Sequence, residues 1–171
     1  ELYSLLIAYK ANIQEKDMYG DTVLHTATMT NVPVDILEKL VDAGAEVNER
    51  NKDGVTPLAL AIENKNSTHI KFYAEHGADI NSKDTKGRTP LTMALKDPDT
   101  EGKILETILN KKNIASLDSD GNTPLISAIM SNASQERIQY ILSLTDDVNA
   151  RNSAGNTALF LSVLKNRKSI G

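Results

Sequence analysis

Asp84-Thr85-Lys86-Gly87-Arg88-Thr89-Pro90-Leu91 reads as a tight turn running straight into a helix. Asp84 has a short polar side chain suited to bonding its own backbone, and Gly87 tolerates the positive φ that closes such a turn. Thr89 is an N-cap residue, and Pro90 suits the first helical position, where its missing N–H has no partner to lose. Leu91 and Ala94 then share a face, so a short helix begins near residue 90. Asp97-Pro98-Asp99 ends it, because proline breaks the hydrogen-bond ladder and disfavours helical geometry in the residue before it. Ile104, Leu105, Ile108 and Leu109 recur at the spacing of a second, amphipathic helix.

The same order occurs five times. Gly20, Gly54, Gly87, Gly121 and Gly155 are separated by 34, 33, 34 and 34 residues. Each is followed two residues on by threonine (Thr22, Thr56, Thr89, Thr123, Thr157) and four on by leucine (Leu24, Leu58, Leu91, Leu125, Leu159). A chain with that period is an array of one supersecondary unit whose members bury their apolar faces against neighbours. Ala27, Ala61, Ala128 and Ser162 mark where helices of adjacent layers are expected to approach most closely. Second helices carry Ile36, Leu37, Leu40 and Val41, then Ile70 and Tyr73, then Ile138, Ile141 and Leu142. Gly44-Ala45-Glu46-Val47-Asn48 and Gly77-Ala78-Asp79-Ile80-Asn81 close two units, with glycine suited to a left-handed helix C-cap.

Bulk properties narrow the function. The 171 residues are 40% hydrophobic and 25% charged, without an apolar run long enough to span a bilayer. A net charge of −4 opposes the positive field that non-specific nucleic-acid binding needs, and 4% aromatic residues leave few stacking platforms for bases. With no cysteine there is no disulfide framework, thiolate nucleophile or zinc knuckle. His25, His69 and His76 share no metal-ligand spacing, and no phosphate loop, G-x-S-x-G elbow or H-E-x-x-H occurs. Asp118-Ser119-Asp120-Gly121 resembles the start of a calcium loop, but the twelfth position is Ile129 instead of glutamate, so it reads as another turn. No catalytic residue, metal or cofactor is expected.

The aspartate-glycine turn, the threonine-proline-leucine-histidine start and the closing glycine-alanine-acid-aliphatic-asparagine together resemble the ankyrin repeat family. The likeness covers essentially the whole chain. Its histidine survives only as His25, replaced by Ala59, Thr92, Ile126 and Phe160. The closing motif has decayed to Lys111-Lys112-Asn113-Ile114-Ala115 and Thr145-Asp146-Asp147-Val148-Asn149. The resemblance implies a mainly α fold, an ankyrin-repeat α-solenoid of stacked antiparallel helix pairs with projecting β-hairpin loops. One repeat domain over 1–171 is expected: the end of a repeat at 1–16, repeats at 17–50, 51–83, 84–117 and 118–151, and an incomplete one at 152–171. The extra residue of the 34-residue units falls in the loop between the two helices. The chain opens inside a second helix, and Phe160, Leu161, Val163 and Leu164 do not form the polar outer face of a terminal repeat, so a longer polypeptide is expected.

The resemblance further implies a non-catalytic protein-protein interaction module that uses its hairpin fingers and the face of its first helices. The alternatives are a targeting or regulatory segment of a multidomain enzyme or host-directed effector, and an elastic spacer. Candidate contact residues flank the turn glycines and the ends of the first helices. The first unit offers Lys16, Met18, Tyr19, Asp21 and Met29, and the second Arg50, Lys52, Asp53, Val55 and Glu63. Lys83, Lys86, Arg88 and Lys96 follow, then Asp120, Asn122 and Met130, then Arg151. Lys16, Arg50, Lys83 and Arg151 occupy one position, and with Lys52, Lys86 and Arg88 they outline a basic stripe for an acidic peptide segment, with Tyr19 or Met29 as apolar anchor. A monomer in an intracellular, cytoplasmic setting is expected, without nucleic acid or membrane insertion. The weight of asparagine, lysine and isoleucine points to an AT-rich coding source such as some bacteria, protists or large viruses, and a bacterial one would leave secretion into a host cell open.

Overall fold

The computed structural model describes residues 2–96 and 103–168. The helix stop expected at Asp97-Pro98-Asp99 lies outside them. Among the described residues all regular structure is helical, apart from one isolated antiparallel bridge between Arg151 and Thr157. The chain divides into two compact units, Glu1–Pro90 and Leu91–Gly171.

The first unit contains α1 (Leu2–Ala8), α2 (Val23–Met29), α3 (Val34–Asp42), α4 (Pro57–Glu63) and α5 (Ser67–Glu75). Both α2 and α4 begin after the predicted threonine, and the Thr56 hydroxyl accepts from the Ala59 N–H at 3.3 Å. Within this unit α2 packs on α3 and α4, and α4 packs on α5. Leu24, Leu37, Leu58, Ile70 and Tyr73 are fully buried, and Ala27 and Ala61 sit among them as the close-approach positions. Four residues join α2 to α3 but three join α4 to α5, so the length difference falls in the inter-helix loop. Each first helix ends on a residue forced to positive φ, Asn31 at 53° and Lys65 at 53°. The closing Gly44 and Gly77 also adopt positive φ, and Lys10 takes the same role at 59°.

The second unit contains α6 (Pro90–Lys96), α7 (Lys103–Ile108), α8 (Pro124–Met130), α9 (Gln135–Leu144) and α10 (Ala158–Lys168). Within it α8 packs on α9 and on α10. Leu91, Leu95, Leu105, Ile108, Ile126 and Ile141 form its interior. Lys165 of α10 donates to the Ile129 carbonyl at 2.7 Å and also reaches the Met130 carbonyl and Asn132 Oδ1. That places a cation on the carbonyl end of α8, where the helix dipole favours it.

One expectation, the β-hairpin loops, is corrected, and two departures from the repeat pattern are found. Leu159 is 73% exposed, although its equivalents Leu24, Leu58, Leu91 and Leu125 are buried. In α2, α4 and α8 a second helix packs against the helix that carries the leucine, and no second helix follows α10 among the described residues. The β-hairpin loops are five-residue turn loops without a strand ladder. Where the closing glycine has become Thr145, the chain leaves α9 in an extended conformation instead of the left-handed one, because a β-branched residue resists positive φ.

Candidate partner-binding surface

Each finger is one five-residue loop, at 17–21, 51–55, 84–88, 118–122 and 152–156. Its first residue, Asp17, Asn51, Asp84, Asp118 or Asn152, accepts the N–H of the turn glycine on its carbonyl, at 2.8 to 3.0 Å. The same residue donates its own N–H to the carbonyl of the fifth. Its side-chain oxygen Oδ1 accepts the N–H groups of the third and fifth, as Asn51 does from Asp53 at 3.1 Å and Val55 at 2.9 Å. Aspartate or asparagine is therefore required there for a stated reason: a short acceptor side chain replaces the missing ladder.

Neighbouring fingers are sewn together by backbone bonds. The Lys52 N–H donates to the Tyr19 carbonyl at 3.0 Å, the Thr85 N–H to Asp53 at 2.8 Å, and in the second unit Ser153 to Asp120 at 3.0 Å. Side chains repeat the pattern: Asn51 Nδ2 donates to Asp21 Oδ1 at 2.8 Å, and Asn152 Nδ2 to Asn122 Oδ1 at 2.9 Å. His25 adds a buried link, accepting the Thr22 N–H on Nδ1 at 3.1 Å and donating from Nε2 to the Val55 carbonyl at 2.9 Å. Burial pushes its imidazole below the usual histidine range against the opposing pull of that carbonyl and of Asp21, so the neutral ring is favoured.

The basic row is part of this stitching. Lys16 pairs with Glu49 and donates to the Arg50 carbonyl at 3.2 Å, and its hydrogen bond holds the Glu49 carboxyl below its ordinary range. Arg50 donates to the Gly54 carbonyl at 3.2 Å and reaches the Lys83 carbonyl. Lys52 Nζ donates to the Met18 carbonyl at 2.8 Å, and Arg151 to the Gly155 carbonyl at 2.8 Å. Arg88 bridges Asp84 Oδ2 and Glu63 Oε1, each at 2.7 Å. Burial raises the Asp84 carboxyl, but the Arg88 N–H, its guanidinium and the Lys86 N–H outweigh it and hold the group below the usual carboxylate range.

Beyond that stitched row, the remaining sequence candidates separate by burial. Asp21, Val55 and Asn122 are buried, the first and last as acceptors for the next finger, and so are withdrawn from the surface. Met18, Tyr19, Met29, Asp53, Glu63, Lys86, Lys96, Asp120 and Met130 remain exposed, while Lys83 is half-buried. Sequence reasoning passed over Glu49 and Asn51, although each lies in the repeat after its partner, Glu49 33 residues after Lys16 and Asn51 30 after Asp21. Among the described residues no group of three His, Asp or Glu side chains is placed to hold a metal, and no helix is long and apolar enough to cross a membrane.

The family model for ankyrin repeats, in three copies, matches residues 1–84, 30–102 and 71–152. The chain belongs to the ankyrin repeat family. An ankyrin repeat protein of Rickettsia felis is 32% identical over 75 residues, 44% of this chain and 20% of that protein. The chain therefore spans about a fifth of the length of that relative. Ankyrin repeats are generally protein-protein interaction modules and typically non-catalytic. In ankyrin terms, the finger positions described above are the hairpin tips, and His25 is the histidine of the helix-start motif.

Proposed function

We propose that this ankyrin repeat chain is a non-catalytic protein-binding module, in which finger tips and the exposed ends of the first helices meet another protein. The observation that carries this reading is the separation of duties within each finger. Glycine and first-residue side chain hold each loop and backbone bonds join it to its neighbour, while the two tip residues differ from finger to finger as Met18-Tyr19, Lys52-Asp53 and Thr85-Lys86. A rigid scaffold with variable tips limits the ordering cost of association. For an acidic partner segment, the cation that stands clear of the stitching in the first unit is Lys86.

The test is affinity capture with the intact chain against a variant carrying Met18→Ser, Tyr19→Ala, Asp53→Ala and Lys86→Ala, changes that follow the Ser153-Ala154 tip, which closes the same turn. Capture by the native chain and loss in the variant, at an unchanged unfolding midpoint, supports the reading. Identical captured sets would remove it.

A further inference from the structure

The first finger carries two large apolar side chains where every other finger is polar or small. Met18 and Tyr19 are 75% and 63% exposed. Their equivalents are Lys52-Asp53, Thr85-Lys86, Ser119-Asp120 and Ser153-Ala154. The turn does not call for them, since the same bonds from the first residue to the glycine and fifth residue close all five loops. Nor do they pack on the interior. Two adjacent apolar side chains are thus kept in water by a fold that accepts serine and alanine in their place.

Both are held in position from below. The Tyr19 N–H donates to Asp17 Oδ1 at 2.8 Å, the Tyr19 carbonyl accepts from Lys52 N–H at 3.0 Å, and the Met18 carbonyl accepts Lys52 Nζ at 2.8 Å. A partner therefore needs to fix only side-chain rotamers, and tyrosine and methionine are residue types over-represented at interfaces. The charge beside the tip decides the kind of partner. Lys16 is paired with Glu49, and Lys52 is bound over the Met18 carbonyl and followed by exposed Asp53, while exposed Asp17 stands at the base of the loop. Two cations face three carboxylates, so the local field repels an acidic segment.

We propose that the Met18-Tyr19 tip is the docking point for a partner segment that bears a large aliphatic or aromatic side chain and no net negative charge. The proposal rests on the protein-binding reading above and names the partner chemistry for one finger.

It is tested by selecting a random displayed-peptide library on the intact chain, then measuring a synthetic consensus peptide against the native chain and a Met18→Ser, Tyr19→Ala variant. A second variant, Met18→Lys with Tyr19→Asp, borrows the pair that the second finger carries and guards against a folding defect in the first. The expected result is a consensus with an aromatic or large aliphatic residue and at least about a tenfold loss of affinity in both variants, a difference of about 1.4 kcal/mol. Affinity for the native chain should change by less than about twofold when salt is raised enough to shorten the screening length to a few ångströms. An acidic, salt-sensitive consensus, or an apolar one that binds both variants as tightly as the native chain, overturns the proposal and leaves the module reading standing. Failure to enrich any peptide overturns both.

Discussion

A β-carbon at position 20 would lie 2.9 Å from the Lys52 amide nitrogen, whereas one at position 44 meets nothing within 4 Å. Both glycines have positive φ, so alanine at either carries about 1 to 2 kcal/mol of left-handed strain. Gly20→Ala must in addition part the first finger from the second, and is expected to cost about 1 kcal/mol more, read as a larger fall in urea midpoint than for Gly44→Ala. Lys10 holds the same backbone conformation without being glycine, and Lys10→Gly is expected to stabilise the chain by about 0.5 to 1 kcal/mol, read as a higher urea midpoint. His25 gives a pH signature. Its folded pKa lies below the ordinary value of 6.5, so the unfolded chain binds the proton first. Stability is then complete above about pH 6.5 and declines as pH falls from there toward the folded pKa, by at most about 1.4 kcal/mol per pH unit. In urea titrations between pH 7 and 5, His25→Gln should flatten that decline, because glutamine accepts the Thr22 N–H without titrating. At this scale the turn glycines and the cap threonines were legible, each being a local demand on a residue type. The engagement of Arg50 and Lys52 was not, since their acceptors are backbone carbonyls, which carry no mark in a sequence.

Between elements, the hydroxyl pair of α2 and α5 offers the sharper comparison. Thr28 Oγ1 donates to the Leu24 carbonyl at 2.7 Å and lies 2.7 Å from the Tyr73 hydroxyl, whose pKa burial pushes up to about 12. Tyr73→Phe removes one bond and leaves Thr28 satisfied, an expected loss of about 1 kcal/mol. Thr28→Val strands the buried phenol, with only the Leu24 carbonyl at 3.4 Å left to it, and is expected to cost about 1 to 3 kcal/mol in chemical denaturation. Helix starts were legible because threonine and proline act on the residues beside them. The fate of Leu159 was not: the residue fits the repeat, but whether a leucine is buried depends on what packs over it, and that is a property of the neighbouring element. Thr145 lies between these cases, its departure from glycine being visible in the sequence and its extended backbone only in the structure.

Over the whole molecule, the period of 34 and 33 residues fixed the architecture before any contact was known, because a unit that cannot bury its own apolar face has to stack. The candidate surface was half legible. Position within the repeat located the turn loops, but it could not tell exposed Asp53 from buried Asp21, which sits two places further along the equivalent loop. The stitched fingers give a prediction at this scale. The amides of Lys52, Thr85 and Ser153 lie at or beside the tips, yet each donates to the preceding finger. They should exchange with deuterium far more slowly than amides of the exposed closing turns such as Glu46, and exchange as fast as those turns would show that the fingers move independently.

The direction of those three bonds also imposes a rule on spelling. The second position of a turn of this kind ordinarily welcomes proline. At 52, 85 and 153 the N–H is owed to a neighbouring loop, so proline there would satisfy its own turn and unfasten another, whereas at 18 no preceding finger among the described residues makes that demand. The vocabulary permitted at those three tips is therefore written partly by the loop before each.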